Sequence, residues 1–284
     1  MPNRRDFLST LGVALGATTL GRSRALAAMT PSHSVHLQHI GIQLYTLRTL
    51  MEKDVEGTLA KVAAIGYTEV EFAGYFGKTP EQIRTLLLTN RLSSPSSHIP
   101  LPANDDAWSR ALADARTVGH EWAVIPWLEA ADRSKPDDWA RHADRFNHLA
   151  TMARAAGMRF AYHNHDFEFM KVGDGTGLDV LLTKTDPSLV DFEMDIYWVT
   201  KAGADPLDLI TRYPKRFRLM HIKDATAAPE RAMSPVGQGT IDFAKIFDRE
   251  KTSGMQHAYV EHDNAADPIQ SATASYQYLA SLKY

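Results

Sequence analysis

The sequence contains no cysteine, which excludes disulfides, thiolate metal sites and cysteine nucleophiles together. Any metal must therefore be held by His, Asp and Glu. Neither GxGxxG nor GxxxxGKS/T occurs, so the common nucleotide-binding loops lose support. There is no basic excess either: 34 acidic residues against 31 Lys or Arg give a net charge of -3. That balance argues against a broad nucleic-acid surface, which needs clustered Lys and Arg. No apolar run reaches the about 20 residues that span a bilayer as a helix, and no Pro/Gly/Ser linker cuts the chain in two. What is present is an ordinary globular composition over 284 residues, 44% hydrophobic and 23% charged. That length suits one large α/β barrel or two ordinary domains.

The N-terminus reads as a leader. Asn3-Arg4-Arg5-Asp6-Phe7-Leu8 is followed by an apolar stretch from Leu11 to Leu20 and by Ala25-Leu26-Ala27. A basic start, a short hydrophobic run and a small-residue cleavage site make a signal peptide rather than a membrane anchor. The paired arginines before Asp-Phe-Leu resemble a twin-arginine export signal. The expectation is a leader over residues 1–27 and a periplasmic mature protein over residues 28–284, with no stable membrane insertion after cleavage. Removing the leader leaves 27 basic and 33 acidic residues, a net charge of -6.

From His39 onward, short apolar runs alternate with stretches of helical period, the pattern of βα units. Strands are expected at Ile40–Leu47, Thr68–Gly74, Ser93–Ile99, Trp122–Trp127, Arg159–His165, Val190–Val199, Arg218–Asp224 and Ala258–Asp263. Helices are expected at Glu56–Ile65, Pro80–Thr89, Asp106–Val118, Pro136–Ala156, Pro206–Tyr213, Phe243–Thr252 and Pro268–Leu282. Thr79-Pro80, Asp205-Pro206 and Asp267-Pro268 each put a capping side chain before a proline at the first helical position. Eight strands alternating with helices predict a single-domain (β/α)8 TIM barrel, whose chemistry sits at the C-terminal strand ends.

Four consecutive strands end in carboxylate and imidazole: Tyr162-His163-Asn164-His165-Asp166-Phe167-Glu168, Glu193-Met194-Asp195, Met220-His221-Ile222-Lys223-Asp224 and Val260-Glu261-His262-Asp263. Strand two carries Glu69 and Glu71, and strand three offers His98. Carboxylates gathered in one buried place need a cation or a shared proton to offset their repulsion. Glu168, Asp195, His221 and Glu261 are the candidate ligands of a divalent ion such as Mn²⁺, Mg²⁺, Co²⁺ or Zn²⁺. His163 and His165 are two apart and face one side of a strand, so either could replace Glu168.

The phrases IGIQLYTLR, AIGYTEVEFAGYFG, YHNHDFEF, EMDIYWVTKAGADP, LMHIKDA, VGQGTIDF and YVEHD resemble the xylose-isomerase-like TIM-barrel superfamily, closest to its sugar phosphate isomerase/epimerase group. The resemblance runs from about Gly41 to the C-terminal Tyr-Gln-Tyr-Leu stretch. It implies a metal quartet at Glu168, Asp195, His221 and Glu261, and a divalent-metal-dependent isomerase or epimerase of a keto-sugar working through a metal-stabilised enediolate. Glu168 and Glu261 would then be the opposed acid and base. The HNHxxE phrase also suggests a second route, a lyase or hydratase of 3-keto-glycosides or inositol-like ketones in which His163 or His165 is the base. A catalytically silent sugar-binding barrel is the third alternative.

Other rim residues follow from position. Lys223 could steady an oxyanion or simply pair with Asp224, and His98 could hydrogen-bond substrate. Trp198, Tyr197, Trp127 and Tyr45 could form an apolar wall for a sugar. Gly237 and Gly239 offer either free N–H groups for a substrate oxygen or phosphate or a tight turn. His36, His120, His142 and His148 have no identifiable partner and are expected at the surface. The expected partner is a small sugar or glycoside, with no nucleic acid; a homo-oligomer is compatible with the sequence.

Overall fold

The computed structural model describes residues 37–284; the leader expected over residues 1–27, and His36, lie outside the described residues. The parallel strands are β1 (Gly41–Gln43), β2 (Glu69–Ala73), β3 (Ser93–His98), β4 (Trp122–Ile125), β5 (Arg159–His163), β6 (Val190–Asp195), β7 (Phe217–Ile222) and β8 (His257–Val260). They pair in chain order and β8 closes on β1, giving the TIM barrel. The principal helices are α1 (Val55–Ile65), α2 (Pro80–Asn90), α3 (Asp105–Val118), α4 (Pro136–Ala155), α5 (Gly177–Lys184), α6 (Pro206–Arg212), α7 (Phe243–Phe247) and α8 (Pro268–Ser281).

Local chemistry sets these boundaries. Thr79 and Gln82 form a reciprocal capping box around Pro80 at the start of α2, satisfying amides that the first turn leaves free. Asp205 and Asp267 cap α6 and α8 ahead of their prolines. Sequence periodicity overran several strand ends. The apolar run from Ile40 stops pairing at Gln43 and becomes a 3-10 turn over Leu44–Leu47. The run from Val190 stops at Asp195, whose side chain caps a short helix, Ile196–Lys201. Phe243–Thr252 divides into α7 and a separate turn of helix at Glu250–Ser253. Helix α5 was not expected, although Thr176 and Asp179 cap it and Leu178, Leu181 and Leu182 form its buried stripe.

The barrel interior is filled below the functional end. Trp122, Val124, Ala161, Leu219 and Tyr259 form a buried cluster of their own inside the strands, separate from the larger core between strands and helices. Gly41 makes room for it: a Cβ there would lie 2.4 Å from the Tyr259 ring. Above this plug the register aligns polar side chains across strands, pairing His163 with Glu193 and Asp195 with His221. The β2–β3 and β6–β7 ladders shift register between Glu69 and Glu71 and between Phe192 and Glu193. Such bulges re-aim neighbouring side chains, and here each borders a buried glutamate.

Candidate active site

Five strands and the segment after β8 converge on one polar centre. Glu71 comes from β2, His98 from β3, His163 from β5, Glu193 and Asp195 from β6, His221 from β7 and Glu261 from just beyond β8. Burial of so many ionisable groups requires mutual satisfaction, and Glu193 provides much of it. Its Oε2 lies 2.8 Å from His98 Nε2, 3.0 Å from His163 Nδ1 and 3.2 Å from His221 Nε2. Glu71 Oε2 adds a contact at 2.6 Å to His221 Nε2 and accepts from Gln43 Nε2 at 2.7 Å.

This hub fixes ring orientation. With Nδ1 of His163 and Nε2 of His221 held by carboxylates, the opposite nitrogens face Asp195 and Glu261. His163 Nε2 is 3.7 Å and His221 Nδ1 is 4.0 Å from Asp195 Oδ2, while His221 Nδ1 is 2.7 Å from Glu261 Oε2. Two groups of donor atoms are close enough to hold an ion: His98, His163, Glu193 and His221, and separately Asp195, His221 and Glu261. In the first, the Glu193 oxygen itself fills the space between the three imidazoles. In the second, Asp195 Oδ2 is buried without a hydrogen-bond partner. One donor atom from each of Asp195, His221 and Glu261 lies within 4.8 Å of the others, close enough to surround one divalent ion, and His163 Nε2 lies 3.7 Å from Asp195 Oδ2.

The charges reinforce one another. Burial alone would lower the His221 pKa, but Glu193, Glu261 and Glu71 hold it well above its ordinary value. Burial would likewise raise Glu261, yet Lys223 and His221 depress it well below the usual carboxylate range. Asp195 is pushed up to about 6 by burial, against the pull of Lys223. His163, buried and next to the charge of His221, drops to about 3.

Glu168 does not join this cluster. The strand expected to reach His165 ends at His163, and the chain turns into a 3-10 segment at Phe167–Phe169, so the two-residue period no longer governs where Glu168 points. Its carboxylate accepts from the Tyr162 hydroxyl and from the His165 amide at 2.8 Å, and burial pushes it up to about 8. Of the four expected ligands, Asp195, His221 and Glu261 come together, and His163 Nε2 lies 3.7 Å from Asp195 Oδ2. Glu193 and Glu71, which lie two positions before the last residues of β6 and β2, are not among the residues the strand ends point to. The available signal was that Glu193 lies two positions before Asp195, on the same strand face.

Above the donors opens a cavity of about 590 Å³ that His98, His163, His165, Trp198, Lys223 and Glu261 line. Trp127 and Tyr45, each 42% exposed, stand in its wall. Tyr197 does not; it is buried and its hydroxyl donates to the Arg231 carbonyl. His165 meets Trp127 edge-on and stacks on Phe167. Its Nδ1 is buried with no partner among the described residues, and burial, with His163 and Lys223 nearby, lowers its pKa well below the ordinary value. Lys223 contacts Asp195, Glu261 and Asp263, not Asp224. Asp224 instead accepts the amides of Ala225, Gly237, Gly239 and Ile241. Of the two alternatives for Gly237 and Gly239, the structure shows the turn: their amides are taken by the Asp224 carboxylate. His120 and His142 are buried, contrary to expectation: His120 bonds the Ser94 carbonyl and Tyr75, and His142 the Asp132 carbonyl.

Known proteins share this fold and parts of the sequence. The family model described as "Xylose isomerase-like TIM barrel" matches residues 59–282. An inosose dehydratase of Geobacillus kaustophilus is 24% identical over 230 residues, 66% of this chain and 73% of that protein. One from Lacticaseibacillus casei is 32% identical over 165 residues, 50% of this chain and 54% of that protein, so the match spans about half its length. A crystal structure of a sugar phosphate isomerase/epimerase from Parabacteroides distasonis superposes with a TM-score of 0.77 at 26% identity, covering 88% of this chain and 96% of that one.

Proposed function

The chain belongs to the xylose isomerase-like TIM barrel family, and from that premise we propose that it is a divalent-metal-dependent carbon–oxygen lyase acting on a polyhydroxy ketone. The reading covers keto-inositols, as the names of the dehydratase relatives suggest, and 3-keto-glycosides. His163, Asp195, His221 and Glu261 would hold the ion, which when bound supplies a Lewis acid for a substrate carbonyl oxygen.

The observation that carries this reading is the exchange of roles between Glu168 and the histidines. Epimerisation needs an acid and a base on opposite faces of the reacting carbon, and Glu168 is buried, outside the cavity lining, and engaged by Tyr162 and His165. What the cavity presents instead is the half-buried ring of His165 in its wall. A neutral imidazole there can take the proton beside the carbonyl. The electron pair of that C–H bond becomes the new C=C bond as the neighbouring C–O bond breaks, and the oxygen leaves with a proton as water or an alcohol. The Lys223 ammonium faces the negative charge that develops. Trp127, Trp198 and Tyr45 offer apolar faces to the ring.

One observation favours the second reading, an isomerase or epimerase: the likeness to the Parabacteroides structure. A panel of keto-inositols and keto-glycosides in D₂O separates the two. Loss of water or aglycone supports the lyase, whereas carbon-bound deuterium in a product of unchanged composition supports the isomerase. We further read the protein as exported to the periplasm; N-terminal sequencing of the periplasmic fraction tests this, and a protein that retains Met1 in the cytoplasm refutes it.

A further inference from the structure

Lys223 is buried just beyond β7, with Nζ 3.0 Å from Asp195 Oδ2, 2.7 Å from Glu261 Oε2 and 2.8 Å from Asp263 Oδ1. Two of these three oxygens are the carboxylate atoms that, with His221 Nδ1, make up the cation-sized donor group. Only the contact with Asp263 has hydrogen-bond geometry. Asp195 Oδ2 has no hydrogen bond at all, and Glu261 Oε2 meets His221 Nδ1 at 2.7 Å. The ammonium is thus anchored on Asp263, and sets its charge against two donor carboxylates while leaving their bonding directions open.

We propose that Lys223 is the resident counter-ion of the metal site: it offsets Asp195 and Glu261 while no ion is bound, and it lowers the affinity for the divalent ion that shares their oxygens, keeping that ion exchangeable. The proposal rests on the reading of Asp195, His221 and Glu261 as metal donors. Neighbouring buried carboxylates resist ionising together unless a cation lies between them. A divalent ion on the same oxygens brings a second cation within a few ångströms of Nζ, where solvent and salt screen little. Ion and ammonium therefore oppose one another, equally in both directions. Without the ammonium, the site would hold two buried carboxylates and the half-buried Asp263 with His221 as their remaining cationic neighbour, and the protein would depend on metal to stay folded.

The test compares chelator-stripped wild type with Lys223→Met, which keeps the volume of the aliphatic stem. Mn²⁺ is titrated calorimetrically, and both proteins are melted with and without it. Metal-free Lys223→Met is expected to melt below wild type, to bind Mn²⁺ at least tenfold more tightly, and to regain most of the wild-type melting temperature when saturated. A variant recovered folded only in Mn²⁺ supports the proposal as well, and Lys223→Gln provides the affinity measurement if Met at this position prevents folding altogether. Equal or weaker Mn²⁺ binding by a folded variant overturns the counter-ion role while the metal site stands. Absence of Mn²⁺ binding by wild type overturns the site itself, and the counter-ion role with it.

Discussion

At the scale of single residues, the site works by dividing labour between groups that look alike in sequence. His163 and His165 are separated by one residue, yet the first is clamped by Glu193 and turned toward Asp195, and the second lies half-buried in the cavity wall. Replacing His165 with Gln should therefore lower kcat by about 10²–10⁴-fold, the range for a lost general base, with Mn²⁺ affinity changed little. His163→Gln should instead lose metal, which calorimetry distinguishes. Glu168 is tied to His165 by accepting a hydrogen bond from its backbone amide. Its pKa is raised by burial from 4.5 to about 8, so the native state keeps the proton across a range where the unfolded chain has lost it. That contribution to stability is complete below about pH 4.5 and disappears as pH rises toward about 8. Denaturant titrations at several pH values should show Glu168→Gln with a flatter decline over this window than wild type; identical slopes would mean that Glu168 does not titrate there. The sequence revealed His163, Asp195, His221 and Glu261 as ligand types at strand ends. It could not reveal that Glu168 falls outside them, because that depends on where β5 stops pairing.

At the scale of elements, periodicity and capping made most of the barrel legible before any coordinates. The boundaries of α1 to α4, α6 and α8 lie within a residue of their expected positions, because Asp, Asn or Thr caps, and prolines at helix starts, mark them. Strand ends were overrun wherever apolar residues continue past the last ladder bond, as at Leu44 and Ile196: hydrophobicity is shared by the strand and by the buried turn after it. Register was also out of reach, since pairing between residues 28 apart in the chain, as Gly41 and Glu69 are, leaves no local signature. Close approach can be tested directly. Gly41→Ala would push a methyl group against the Tyr259 ring, and overpacking of this kind costs about 1–3 kcal/mol, to be read as a fall in denaturant midpoint. The loop after β7 is a further case: Asp224→Ala removes the acceptor of four backbone amides. Leaving even one of them buried and unpaired costs about 1–3 kcal/mol, measurable by thermal melts.

At the scale of the whole molecule, the fold closes a β-barrel around an apolar plug and gathers charge at one end of it. No helix of the described residues is long and apolar enough to cross a membrane. The deficit of cysteine noted at the outset is consistent with a centre made wholly of carboxylate and imidazole, and the acidic balance has a local expression in Asp195, Glu261 and Asp263 around a single ammonium. Because the same donors serve folding and chemistry, saturating the site with a divalent ion should raise the melting temperature, and a chelator should reverse the rise. The most direct test of the account is mass spectrometry of a keto-inositol incubated with chelated and with metal-reloaded protein. A product lighter by one water is expected, forming only after reloading. An isomer of unchanged mass, or full turnover by the chelated protein, would contradict it.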